Sequence, residues 1–316
     1  MTPRKVSIYI ACPSYGGNGG ISSLHPDVAR WLVGVTAQMR ADERIEHVYL
    51  DFEADCPITM VRNNYVVKAR KEGCDFLLMV DSDQSPDKHQ GEPWFKPFWG
   101  EAFNEAYSHF EKGPLVIGAP YCGPPNGTEN AYVFYWENNG FRGDETSFRL
   151  EQYPRQWAAQ MSGIQECAAL PTGMILCDIR IFEMLDPCIK PKRQVLNELA
   201  EGTISVAEAE QSLGGGWFYY EYKNGYCAEK ASTEDVAFTR DASLIGMQKL
   251  GYNPVRCAWD SWAGHIKPWN VGKPCFYGIE QIGDVYKKAI SGDVSLGDKR
   301  VEFKATDKTM SLFGVK

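Results

Sequence analysis

The chain has 316 residues, 44% apolar and 23% charged, with 33 Lys and Arg against 41 Asp and Glu for a net charge of −8. A chain of this length buries roughly three quarters of its unfolded surface, so its core needs no staples. The 9 Trp, 16 Tyr and 15 Phe exclude disorder and fibrous structure, and the acidic balance excludes a global positive field for nucleic acid or anionic membrane, leaving only a local basic groove open.

No apolar run approaches the roughly 18–20 residues that cross a bilayer. The stretch from Met1 to Pro13 has two basic residues and a short apolar run, but Pro13 interrupts it and no small-residue cleavage site follows. It reads as a buried first strand, Val6–Ala11, rather than a signal peptide. Pro26 and Asp27 then open a helix whose apolar positions Val28, Trp31, Val35 and Met39 keep helical spacing. His47–Phe52 is a second strand. A helix over about Thr59–Glu72 places Ile58, Val61, Tyr65 and Ala69 on one face and stops at Gly73. Phe76–Val80 is a continuous apolar run, as expected of a central strand covered on both sides. A helix over about Glu101–Glu111 and a strand at Leu115–Gly118 complete a βαβαβαβ rhythm, which predicts a mostly parallel open sheet with helices on both faces.

The second half is less regular. Tyr132–Gln165 carries weak period signals and reads as long loops. Leu170–Met184 reads as a turn at Gly173, a strand and a short helix. Lys192–Leu213 reads as a polar surface helix pair. Ser232–Leu250 has a Ser-x-x-Asp start, apolar Val236, Phe238, Leu244, Ile245 and Met247, and stops at Gly251 and Pro254. The expected organisation is one domain over 1–290, with a nucleotide-binding half at 1–125 and an acceptor half at 126–290, followed by a charged tail from 291. The ten cysteines lie at least ten positions apart, without Cys-x-x-Cys spacing. They read as reduced, mostly buried small hydrophobes, and the expected location is the cytoplasm.

Three places carry chemistry. Asp81-Ser82-Asp83 follows the central strand at its carboxyl end, the edge where ligands bind in open parallel sheets. Two carboxylates at i and i+2 suit one hard cation, which can bridge a diphosphate; a solvated acidic turn is the plainer alternative. Glu234-Asp235 opens the last helix, where acidic residues stabilise a helix N-terminus by about 0.3–1 kcal/mol without any further role. Functionally, Asp235 accepts a proton from an attacking hydroxyl while Glu234 orients the acceptor. His265, after the strand expected at Val255–Trp262, is a candidate ligand beside carboxylates, or a structural histidine.

The order of these parts resembles the metal-dependent glycosyltransferases of the GT-A fold, particularly compact bacterial and bacteriophage members. The matching pieces run from Ala11-Cys-Pro-Ser-Tyr-Gly-Gly17 and Val61-Arg-Asn-Asn64 through Phe76–Asp83 and Gly118-Ala-Pro-Tyr121. They continue with Pro171-Thr-Gly-Met-Ile-Leu176, Trp217-Phe218, Ser232-Thr-Glu-Asp235 and Gly264-His265. The resemblance implies a Rossmann-like GT-A sheet, Mn2+ or Mg2+ as cofactor, and a UDP- or GDP-sugar donor. It implies Asp81, Asp83 and His265 as metal ligands, Asp235 as base with Glu234 beside it, and Pro13, Tyr15, Arg62, Asp81 and Ser82 around the nucleotide. Asp51 or Glu53 would meet the base, Gly173 would admit close approach of sugar and acceptor, and Trp217 would offer a sugar platform. The sequence departs from related small transferases where Cys122-Gly-Pro-Pro-Asn stands in place of a Lys after Tyr121.

Gly16-Gly-Asn-Gly-Gly20 lacks dinucleotide-loop spacing and no Gly-Lys-Ser/Thr follows it; no nucleophile elbow appears. The absence of Arg and Lys from this loop also weighs against a sugar nucleotidyltransferase. The expected activity is transfer of a sugar from a nucleotide donor to a hydroxyl acceptor, with inversion. The alternatives are a non-catalytic nucleotide-sugar binder and a phage-type enzyme acting on hydroxymethylated bases in DNA, which would draw on Arg142, Arg149, Arg155, Lys190, Lys192 and Arg193.

Overall fold

The structure, a computed structural model, describes residues 4–14, 24–53, 58–122, 131–142, 145–185, 197–206, 216–222 and 230–266. Tyr15, the glycine loop at 16–20, Lys190, Lys192, Arg193 and everything from 267 onward, the expected tail included, lie outside these residues, as do the side chains of Arg142, Arg149 and Arg155.

The elements in chain order are β1 (Val6–Pro13), α1 (Pro26–Ala41), β2 (Ile45–Glu53), α2 (Ile58–Lys71), β3 (Phe76–Val80), β4 (Gln84–Ser85), α3 (Phe98–His109) and β5 (Val116–Gly118). There follow β6 (Phe134–Arg142), β7 (Glu145–Gln152), α4 (Arg155–Ala158), β8 (Ile164–Glu166), β9 (Met174–Asp178) and α5 (Arg180–Leu185). The chain continues with β10 (Glu221–Tyr222), β11 (Lys230–Ser232), the long helix α6 (Glu234–Leu250), β12 (Val255–Ala258) and β13 (Gly264–His265).

Seven strands form one sheet in the order β2-β1-β3-β9-β5-β12-β8. β2, β1, β3, β5 and β12 run in one direction, while β9 and β8 pair antiparallel to their neighbours. The expected α/β class with a mostly parallel centre is therefore what the chain forms, interrupted by one reversed strand at the middle. Side chains alternate across the strands with period two. Ile8, Ile10, Phe76, Leu78, Met174 and Leu176 face a core closed by α1 and α3. Tyr9, Leu77, Met79, Ile175 and Cys177 face a second core under α2, α5 and α6. Two covered faces explain why Phe76–Val80 has no polar position at all.

Two expectations need correction. The region from Tyr132 to Gln165 is not mainly loop: β6 and β7 pair as an antiparallel hairpin from Phe134↔Gln152 to Arg142↔Glu145, with a register shift between Asn138 and Phe141. That shift and the mixed polar–aromatic composition blur the alternation on which a strand reading depends. The last helix starts two residues later than its Ser-x-x-Asp signal, because Ser232 belongs to β11 and Thr233 is the N-cap. Its buried face holds Ala237, Thr239, Ala242, Ser243 and Gly246 with Phe238, whereas Leu244 and Met247 are exposed. Small residues face inward here because the helix lies close to its neighbours, and Gly246 packs directly on Pro254.

Candidate active site

The topology gathers several loops on one edge of the sheet. β1, β2, β3, β5 and β12 all finish there, and the reversed strand β9 begins there, so Gly173 sits beside Asp81 and its carbonyl accepts the Asp81 N–H at 2.8 Å. Helix α2 descends from this edge after β2 and α6 descends from it before β12. Arg62 and the pair Glu234–Asp235, each close to a helix start, are thereby brought over the end of β3.

Arg62 links these parts. It is 3% exposed; its Nη2 donates to both Asp81 oxygens at 3.0 and 2.9 Å, and its Nη1 donates to Glu234 Oε1 at 2.5 Å. Two carboxylates share one guanidinium, and Asp235 and Asp83 stand close enough to add to the negative field. Burial, only partly offset by Arg62, holds Asp81 above the usual carboxylate range, with Asp83 and Asp235 adding to the shift. Burial and Asp235 do the same to Glu234 against the pull of Arg62. Arg62 itself stays charged, because the acids outweigh the cost of its burial. Tyr220 hydrogen-bonds Glu234, and burial with that acid pushes its phenol up to about 12.

Asp83 and His265 meet one step further along. β4 pairs with β13, placing His265 opposite Gln84, and the Ile266 N–H donates to the Asp83 carbonyl at 2.7 Å. His265 Nε2 lies 3.3 Å from Asp83 Oδ2. The His265 ring packs edge-on against Tyr121 at 5.0 Å between centroids. Tyr121 is buried, and burial with Asp235, Asp81 and Asp83 holds its phenol well above the ordinary value despite Arg62. Asp235 is fixed at the head of α6: its Oδ1 accepts from Thr233 Oγ1 at 2.5 Å and from the Val236 N–H at 2.8 Å.

The residues singled out in the sequence thus divide. Asp81, Asp83, Arg62, Glu234, Asp235 and His265 come together on one edge, and Gly173 adjoins them. A Cβ on Gly173 would stand 2.6 Å from Gln84 Nε2 and 2.8 Å from the Tyr121 hydroxyl, so any larger residue would force these two buried side chains to move. Asp81 is engaged by Arg62 rather than standing with Asp83 and His265, and among the described residues no three His, Cys, Asp or Glu side chains form a metal-ligand group. Asp83 and His265 remain as a pair of candidate ligands.

Ser82 lies beside α1, its carbonyl accepting the His25 N–H at 3.1 Å. Pro13 ends β1 opposite Glu53. Asp51 accepts from Tyr9 and Lys68, each at 2.7 Å; burial alone would raise its pKa, but these bonds hold it below the ordinary value. Glu53, at the strand end, takes Lys68 and Asn64. Trp217 lies in the core, 5% exposed, its indole N–H on the Phe182 carbonyl at 2.7 Å and its ring edge-on to Phe182. Its faces are used in packing. Gln84 and Tyr220 were not singled out in the sequence; a Gln directly after an Asp-x-Asp turn was the available signal for the first, and nothing marked the second.

No protein-family model matches the chain, and no curated protein matches it. Among solved structures it is similar to A197 from STIV, at 13% identity and a TM-score of 0.40 over 83% of this chain and 86% of that one. It is also similar to GalNAc-T7, crystallised with UDP, GalNAc and Mn2+, at 11% identity and a TM-score of 0.38 over 91% of this chain. The match spans 50% of GalNAc-T7. A third similar structure is mannose-1-phosphate geranyltransferase from Thermus thermophilus, at 13% identity and a TM-score of 0.32 over 84% of this chain and 75% of that one. At these values the likenesses carry no argument about chemistry.

Proposed function

We propose that this protein binds a nucleotide-sugar together with a divalent cation, Mn2+ or Mg2+, and transfers the sugar to a hydroxyl acceptor. The observation that carries the reading is the meeting of Asp83 and His265 at 3.3 Å, on the sheet edge that also holds Asp81, Glu234 and Asp235. The donor set suits such a cation. A carboxylate oxygen and a neutral imidazole nitrogen are donors such a cation accepts, and a cation that also binds phosphate needs few ligands from the protein. Asp83 and His265 would supply two positions. Bound there, the cation offsets charge on the departing diphosphate.

The remaining steps belong to the chain. Asp235 is held in one orientation by Thr233 and the Val236 N–H, and takes the proton of the acceptor hydroxyl. Arg62 fixes Asp81 and Glu234 and balances part of their charge, so the acidic edge keeps its geometry before ligands arrive. Pro13, Ser82 and the carboxylates at the end of β2 would form the nucleotide side, and Gly173 lies beside Asp81 on the same edge. An in-line attack by the hydroxyl facing Asp235 gives inversion.

Incubation of the protein with Mn2+ and a panel of UDP- and GDP-sugars tests the reading. Slow hydrolysis of one donor is expected; Asp83→Ala abolishes it, and Asp235→Asn keeps donor binding while lowering turnover about 10²–10⁴-fold. Turnover without metal, or full activity in Asp83→Ala, contradicts it.

A further inference from the structure

We infer that the outer edge of β2, with the apolar groove between it and α1, is the face through which two copies of this chain pair. The inference stands apart from the nucleotide-sugar reading. β2 is an end strand of the seven-stranded sheet, and among the described residues no strand pairs with its outer side. It is nine residues long and holds neither Lys nor Pro. The opposite end strand, β8, has three residues, two of them the exposed polar Gln165 and Glu166. A short polar edge is blunted against further pairing, whereas a long edge without Lys or Pro invites it.

The backbone of β2 presents an open ladder. The Glu53 carbonyl turns toward β1, where it accepts the Ser14 N–H at 3.0 Å. Alternation along the strand then turns the N–H and C=O groups of Val48, Leu50 and Phe52 outward. The side chains of these three residues lie on the α1 side of the sheet. Leu50 and Phe52 are 42% and 48% exposed and form one wall of a groove of about 530 Å3. Leu32, Val33, Thr36 and Ala37 of α1 form the other wall, with Val33 74% exposed.

The residues of β2 fit a second copy of themselves. Antiparallel pairing about a two-fold axis at Leu50 sets Leu50 opposite Leu50 of the second copy, and Val48 opposite its Phe52. These contacts are all apolar and all on the α1 side, so the two grooves adjoin. On the other side His47 meets Glu53 and Tyr49 meets Asp51, so no carboxylate faces another, and Lys68 already offsets both acids. The neighbouring two-fold registers match less well. Axes at Val48 or Tyr49 set Glu46 against Leu50 or Phe52, and an axis at Asp51 sets two carboxylates together. A strand whose apolar and charged positions match their own two-fold images points to a second copy, and two-fold dimers are the commonest closed assembly.

Sedimentation velocity of the full chain at micromolar concentrations tests this. The parent should sediment as a dimer. Leu50→Lys and Leu50→Glu should each shift it toward monomer, the dissociation constant rising at least tenfold, because the axis sets like charges against each other. Both variants should keep the far-ultraviolet circular dichroism of the parent, since Leu50 reaches solvent in a single copy. Mixed in equal amounts, they should dimerise again, opposite charges now facing across the axis. A monomeric parent, a dimer that persists in both variants, or a mixture that stays monomeric overturns the inference. Loss of the dichroism signal in either variant overturns it as well, because Leu50 then belongs to the core of one copy.

Discussion

Arg62 is the residue on which the acidic edge depends. A guanidinium buried between Asp81 and Glu234 is costly to remove, because the acids left behind are buried without a counter-charge. Arg62→Ala should lose about 3–5 kcal/mol of stability in urea denaturation. The two acids also have a pH signature. Both have folded pKa values raised above the ordinary range, so their contribution to stability is full below about pH 4 and is lost as pH rises through the folded values. Glu234→Gln keeps an oxygen facing Arg62 and removes one charge in excess. Relative to the parent chain, it should melt higher at pH 7 and show no advantage at pH 3; an equal shift at both values would contradict the charge argument. The sequence made the acids visible through Asp-x-Asp after an apolar run and Glu-Asp at a helix start. It did not make Arg62 visible as their partner, since 172 positions separate it from Glu234. Trp217 was ambiguous for a different reason: a Trp spells both a platform and a core residue, and its burial against Phe182 shows it in the core.

At the scale of elements, legibility follows periodicity. α1, α2 and β3 were readable because their apolar positions recur at the spacing their burial demands, and β9 with α5 was readable from the turn at Gly173. The β6–β7 hairpin was not, because its register shift breaks the alternation. α6 was readable as a helix but not as to which face it buries, since its inward residues are small. That face makes a sharp prediction. A Cβ on Gly246 would stand 2.3 Å from Pro254 Cδ, part of a ring that cannot turn aside. Gly246→Ala should cost about 1–3 kcal/mol through overpacking. Gly34, exposed on α1 with nothing within 4 Å of an added Cβ, should give the opposite sign. Gly34→Ala is expected to gain about 0.5–1 kcal/mol. Chemical denaturation of the two variants side by side checks both.

For the whole molecule, the arrangement of strands does what no single motif can. Placing five strand ends, the start of a reversed strand and two helix starts on one edge collects groups from positions 62 to 265 into one site. The direction of β9 was hidden in the sequence, because a fully buried apolar strand reads alike either way, and that reversal is what sets Gly173 beside Asp81.

The central claim is that this edge holds a nucleotide-sugar through a cation seated on Asp83 and His265. Thermal melting with Mn2+ alone, with UDP- and GDP-sugars alone and with both together tests it most directly, because a ligand that binds only the folded chain raises its melting temperature. The account predicts a rise that needs cation and nucleotide-sugar together and disappears in both Asp83→Ala and His265→Ala. A rise of the same size without metal, or one that persists in those variants, would contradict it.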